Sequence, residues 1–127
     1  MGNTRDVVIG IDSSTTATKA IGWTRDGSVV GVGRCPIPLS NPGPNRYEQD
    51  PEDWWSSATN ALRQLLQQVS PERVAALAIA NQRETFVPLD AKGRPVRPAI
   101  IWLDQRCKDE VAWLSGKIGA DNLHRIT

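Results

Sequence analysis

Several classes of protein are excluded by what is scarce in these 127 residues. There are 2 cysteines, Cys35 and Cys107, and 1 histidine, His124. The cysteines stand far apart, with neither a paired spacing nor histidine neighbours. Neither a structural zinc site nor the disulfide framework of a small secreted domain is expected from them, and a reduced, cytoplasmic setting suits that usage better. No apolar run approaches the ~18 residues that a membrane span requires. Charge of one sign is lacking too, since 15 Lys+Arg against 14 Asp+Glu leave a net +1. Without a basic stripe or an acidic tail, neither nucleic acid nor a membrane surface is expected as a partner. Residues 1–6 lack the apolar stretch of a secretory leader, and Asp6 stands where a myristoylation signal carries Ser or Thr. No internal repeat or low-complexity tract is evident.

What is present suits one domain that buries about two-thirds of its unfolded surface. Val7, Val8, Ile9 and Ile11, broken only by Gly10, read as a buried strand that ends on Asp12 and four hydroxyl residues, Ser13 to Thr16. Alternation resumes through Ala17, Lys19, Ile21 and Trp23, so the chain doubles back as a second strand. Such a tip can hold an anion. Hydroxyls and turn amides donate to phosphate oxygens, Lys19 adds a positive charge, and Asp12 can hold a divalent cation against the phosphates. Ser, Thr and Asp are also common in turns that only bond locally, and on this stretch alone a structural turn is the better reading.

Downstream, Asp26-Gly27 between apolar stretches signals a second hairpin, with a third antiparallel strand over residues 29–33. Gly31 and Gly33 lack the third glycine and the following helix of a dinucleotide fingerprint, so that reading is rejected. Residues 36–44, with four prolines, are expected to be an irregular surface crossing. Asp50-Pro51-Glu52-Asp53 starts a helix: an N-cap, a proline at the first position and acids in the first turn. Trp55, Ala58, Leu62, Leu65, Leu66 and Val69 mark its apolar face up to about Ser70-Pro71, and Trp54 and Trp55 are assigned to packing against a sheet. Residues 74–80 are continuously apolar, as in a central parallel strand buried on both faces after a crossover helix. That strand runs into Asn81, Gln82, Arg83, Glu84 and Thr85, at the end where open sheets place ligands. Asp90 to Gly93 makes a short hairpin. Pro98 to Leu103 reads as a further buried strand, followed by Asp104 as the cap of a helix that stops near Gly119.

Three polar clusters thus fall at strand ends: Asp12 to Thr16, Asn81 to Glu84, and Trp102 to Arg106. Separately, each has an ordinary explanation: a surface ion pair for Arg83 and Glu84, an N-cap for Asp104, a core aromatic for Trp102. Their placement on what a common sheet direction makes one rim argues for a site.

The stretch Gly10-Ile11-Asp12-Ser13-Ser14-Thr15-Thr16-Ala17-Thr18-Lys19 resembles the first phosphate motif of the actin, sugar kinase and heat-shock ATPase superfamily, and most of all the FGGY family of carbohydrate kinases. That family usually has Gly where this chain has Ser14. Tyr47 to Trp55 is similar to the segment opening the family's first long helix, and Pro98 to Trp102 with Asp104 and Arg106 to its strand and turn. Asn81 to Thr85 reads as in glycerol kinases, whereas Trp102 to Arg106 is closer to xylulokinases, so the resemblance divides on the sugar. It implies an α/β, RNase H-like actin/sugar kinase fold: a mixed sheet with antiparallel N-terminal hairpins and parallel strands joined by a crossover helix. Residues 1–127 would be part of the first domain of such a kinase.

By the same resemblance, ATP and Mg²⁺ are the cofactors and a sugar or polyol the substrate. Asp12 serves the metal, and Asp12, Ser14, Thr15, Thr16 and Lys19 bind the phosphates. Gln82, Arg83, Glu84, Trp102 and Asp104 bind the sugar. The catalytic base and adenine pocket belong to later segments, so no catalytic residue is expected here, and the 127 residues alone are expected to be inactive. A homodimer is entertained as the assembly. Two other classes remain as alternatives: another actin-like ATPase, which has no use for a polyol-matching cluster, and a non-catalytic sugar-binding or regulatory domain, which has no use for Asp12.

Overall fold

The computed structural model describes residues 5–126; Met1–Thr4 and Thr127, and with them most of the stretch read for targeting signals, lie outside the described residues. Strands β1 (Val7–Ser13) and β2 (Ala17–Trp23) form the expected antiparallel hairpin, with Ile11 opposite Ala20 and Asp12 opposite Lys19. The Asp26-Gly27 turn follows, Gly27 taking the left-handed φ of 85° that such turns need. It leads into β3 (Val29–Pro36), antiparallel to β2.

Residues 36–44 are more ordered than their prolines suggest. A short hairpin of β4 (Ser40–Gly43) and β5 (Arg46–Gln49) occupies that region. Pro42 is tolerated because β4 is an edge strand, where a missing N–H breaks no central ladder.

Helix α1 (Pro51–Leu66) starts as expected, with the Asp50 side chain accepting from the Glu52 N–H. Its buried stripe, however, is Ser57, Ala61 and Leu65, continued by Val69. Trp55 is 70% exposed, which corrects its assignment to the sheet-packing face. The stripe that packs is set by residue size. Gly33 and Gly31 on β3 face the helix, and a Cβ at Gly33 would lie 1.8 Å from the Ala61 carbonyl oxygen. Only a small residue fits at Ala61, while Leu65, one turn further on, reaches Gly22 of β2 with its side chain. Gln68 and Gln64 then reach the open edge of β3: Gln68 donates to the Val32 carbonyl and accepts its N–H, and Gln64 accepts the Arg34 N–H. The edge is thereby covered by side-chain amides.

After a 3₁₀ turn at Pro71–Arg73, β6 (Val74–Asn81) lies parallel to β1, completing a mixed sheet in the order β3-β2-β1-β6. Parallel pairing through a crossover helix is as expected. Burial is not: β6 is the sheet's outer strand among the described residues, with Leu77 and Ile79 exposed. Its apolar run reflects two faces that no described residue covers. Arg73 pins the start of this strand by a bidentate bond to Asp6 just ahead of β1, which holds the Asp6 carboxyl below its usual range.

The core lies on one face of the sheet. Val7, Ile9 and Ile11 alternate inward against Ala20, Ala61, Leu65 and Val69, while Val8, Gly10 and Asp12 point to the open face. The expected strand over residues 98–103 shrinks to β7 (Ala99–Ile100), antiparallel to β5 in a separate three-stranded sheet. Helix α2 (Lys108–Ile118) is capped by Cys107 rather than Asp104, stops at Gly119 with φ of 82°, and is followed by α3 (Ala120–Ile126). No described helix is long and apolar enough to cross a membrane.

Candidate active site

Strand alternation delivers the first group. Because Val7, Ile9 and Ile11 turn inward, Asp12 emerges on the open face, where its direct cross-strand neighbour is Lys19. Both side chains border a groove of about 440 Å³ with Gly10, Trp23, Ala78 and Ala80. Neither is engaged by a hydrogen bond or ion pair among the described residues, nor is the Thr16 hydroxyl. One uncommitted carboxylate fits a magnesium ion that takes its remaining ligands from phosphates and water. No cluster of three metal-ligating side chains occurs among the described residues.

The tip itself is closed by its own hydroxyls. Ser14 donates both its N–H and its Oγ–H to the Ala17 carbonyl, at 3.1 Å each. A hydroxyl carries one proton, so while this bond holds Ser14 has none for an anion. Thr18, fully buried, donates to the Ser13 hydroxyl at 3.2 Å. Thr16, exposed at the end of the turn, keeps its proton available, as does the Lys19 ammonium.

The second cluster lies beside the first. Ser13 and Asn81 are register partners across the parallel pair, and the Gln82 N–H donates to the Ser13 carbonyl at 3.2 Å. Residues 82–84 therefore leave the sheet next to the hairpin turn. Arg83 and Glu84 stand out from it, with side chains 87% and 73% exposed and 3.9 Å apart. Glu84 holds φ of 51°, a left-handed value that non-glycine residues rarely adopt and that concentrates at ligand sites.

Trp102 belongs to the same place although it comes from the turn that follows the smaller sheet. Its indole N–H donates to the Thr15 hydroxyl at 2.8 Å, and its backbone N–H to the Thr85 hydroxyl at 3.2 Å. The ring is half exposed and free to cover a ligand.

Asp104 is placed differently. Its side chain is 2% exposed, and both oxygens are taken by the Arg106 guanidinium, one with the Tyr47 N–H and the other with the Arg106 N–H. The Arg106 hydrogen bonds hold the Asp104 carboxyl far below the usual carboxylate range, against the opposing effect of burial. Glu48 joins this group through Arg106 and Arg97. Of the five expected sugar ligands, Asp104 is the one already saturated within the chain.

Sequence reasoning passed over Gln49. It is 1% exposed and touches the hairpin tip, α1 and the end of β6 at once. Two signals could have found it: its place directly before the Asp50 cap and within the Tyr47 to Trp55 segment that resembles the family.

The comparisons with known proteins point the same way. The profile of the N-terminal domain of the FGGY family of carbohydrate kinases matches residues 7–127. Xylulose kinase of Escherichia coli is 40% identical over 110 residues, covering 87% of this chain and 23% of that protein. Glycerol kinase of Saccharolobus islandicus is 36% identical over 108 residues, covering 84% of this chain and 22% of the relative. Among solved structures, xylulose kinase from Rhodospirillum rubrum superposes with a TM-score of 0.85 at 35% identity, over 91% of this chain and 24% of that one. The chain thus spans under a quarter of the length of these relatives. With the family profile matched over nearly its whole length and the family's actin-like mixed sheet in place, the chain belongs to the FGGY family of carbohydrate kinases.

Proposed function

We propose that residues 1–127 form the first part of the first domain of an ATP-dependent kinase that phosphorylates a hydroxyl of a small sugar or polyol, a ketopentose such as xylulose or a glycerol-like polyol. The observation that carries this reading is the bond from the Trp102 indole to the Thr15 hydroxyl. It joins the two halves that such a transfer needs, a turn bearing an uncommitted carboxylate and a cluster suited to hydroxyl groups. The relatives' names, xylulose kinase and glycerol kinase, support the same substrate class.

In the transfer the bond between the γ-phosphorus and its bridging oxygen breaks as the bond to the sugar oxygen forms; ADP leaves and the hydroxyl proton passes to a base. Mg²⁺, when bound, neutralises the charge that develops on the phosphates. Asp12 would hold it, and Lys19 and the Thr16 hydroxyl are the donors left free to meet phosphate oxygens. Arg83 and Glu84 present a donor and an acceptor to neighbouring sugar hydroxyls, Gln82 stands beside them, and Trp102 offers its face to the carbon chain. The base, by family resemblance, lies in segments beyond these residues. Free thiols at Cys35 and Cys107 support a reduced, cytoplasmic setting.

The test is Arg83→Ala in the complete kinase. Hydrogen bonds to charged groups contribute roughly 1.5–3 kcal/mol each, so losing one weakens sugar binding about ten- to a hundredfold. The sugar KM is expected to rise within that range while the ATP KM stays near its original value. An unchanged sugar KM would reduce Arg83 and Glu84 to a surface ion pair.

A further inference from the structure

Gln49 is a buried side chain with every hydrogen-bonding position filled. Its Nε2 donates to the carbonyls of Thr15 at 2.7 Å and Pro38 at 3.3 Å. Its Oε1 accepts from the Trp54 indole at 3.0 Å and from Gln82 Nε2 at 2.9 Å. An indole N–H is donor only and the two carbonyls are acceptors only, so one orientation of the amide satisfies all four partners. Gln82 in turn accepts from the Thr15 hydroxyl at 3.2 Å through its own Oε1.

These bonds close a ring. Gln49 holds the Thr15 carbonyl, the Thr15 hydroxyl holds Gln82, and Gln82 holds Gln49. Thr15 is therefore fixed at both its backbone and its side chain, and that same hydroxyl carries the Trp102 indole. The ring connects the phosphate turn, the end of β6 and the ring that covers the sugar side, while Trp54 ties it to α1. A structural turn needs none of this reach, because Ser14 already closes the tip through Ala17.

We infer that Gln49 is a positioning residue for phosphoryl transfer: it sets the distance and orientation between the phosphate turn at Thr15 and the sugar-side residues Gln82 and Trp102, and touches neither substrate. The inference rests on the kinase reading above. Its physical basis is that the reacting oxygen and phosphorus must be held in near-attack geometry, where a displacement of about 1 Å costs on the order of a hundredfold in rate.

The test uses the complete kinase with Gln49→Met, which keeps volume and removes all four bonds, and Gln82→Met and the double variant beside it. Expected for Gln49→Met is a fall in kcat per folded enzyme of about ten- to a hundredfold, with smaller rises in both KM values. Because the two residues act through one ring, the double variant should be little worse than Gln49→Met alone. Should Gln49→Met not fold, Trp54→Phe removes one donor from the Gln49 oxygen at a half-buried position, and kcat is expected to fall at least about threefold by the same argument. If wild type turns over and these variants lose only folded protein, with kcat per folded enzyme and both KM values unchanged, the inference is overturned and the kinase reading stands. A complete wild-type protein without sugar-dependent ATP turnover overturns both.

Discussion

Glu84 at φ of 51° carries a strain that its neighbours do not relieve, since its side chain is exposed and its one ionic partner is 3.9 Å away. Left-handed backbone costs a non-glycine residue on the order of 1 kcal/mol, and asparagine tolerates it better than glutamate. Glu84→Asn is therefore expected to raise stability by about 0.5–1 kcal/mol while weakening sugar binding. A melting temperature that falls would show that the backbone is not strained there. Asp104 makes the opposite kind of prediction. Its folded carboxyl titrates far below the ordinary 3.8, so between those two values the unfolded chain binds the extra proton. The stability it contributes is complete above the ordinary value and drains away as pH falls below it. Asp104→Asn should destabilise at pH 7 and flatten the acid limb of a denaturation profile; an unchanged limb would remove the Arg106 bond as its cause. Both residues stand in the sequence beside polar neighbours that gave no hint of this difference. The resemblance placed them in one sugar site, whereas geometry separates an exposed, strained carboxylate from one that is buried and fully bonded.

At the scale of elements, the β1–β2 hairpin, the α1 cap and the parallel pairing of β6 were legible because each follows from local pattern: alternation, an Asp-Pro start, an apolar run after a crossover helix. The buried stripe of α1 was not. Hydrophobicity pointed to Trp55, Ala58, Leu62, Leu65, Leu66 and Val69; the structure keeps Leu65 and Val69 in the core but leaves Trp55 exposed and buries Ser57 and Ala61 instead, because Gly33 brings β3 so close to Ala61 that only a small residue fits there. Gly33→Ala puts a Cβ 1.8 Å from the Ala61 oxygen, which no side-chain rotation relieves. Gly31→Ala meets the Val69 side chain at 3.0 Å, which can give way. Denaturant midpoints should therefore order the variants, with Gly33→Ala losing at least about 2 kcal/mol and Gly31→Ala less. Equal losses would deny the close approach. The strand expected over residues 98–103 came out short for another reason: the run is apolar throughout, yet only Ala99 and Ile100 pair with β5, Ile100 also bridging to Phe86, and Trp102 and Leu103 already lie in a turn.

Across the whole molecule, one face of the sheet and most of β6 present apolar side chains to solvent, among them Val8, Val32, Leu77 and Ile79, as does Trp113 on α2. No pattern within residues 74–80 distinguishes a strand covered by its own domain from one covered by later chain, so the expectation of a buried central strand was drawn from composition that both cases share. The complete kinase that we propose has further chain to cover such surfaces. What this part contributes to the reaction is concentrated at the hairpin, and Asp12 is its one uncommitted carboxylate there. The account is tested most directly by steady-state kinetics of Asp12→Asn in the complete kinase at saturating MgATP. Contacts through the metal strengthen as charge develops, so kcat is predicted to fall by far more than the sugar KM rises. A variant that keeps near-normal kcat would contradict the account, because the phosphate turn would then be a turn and nothing more.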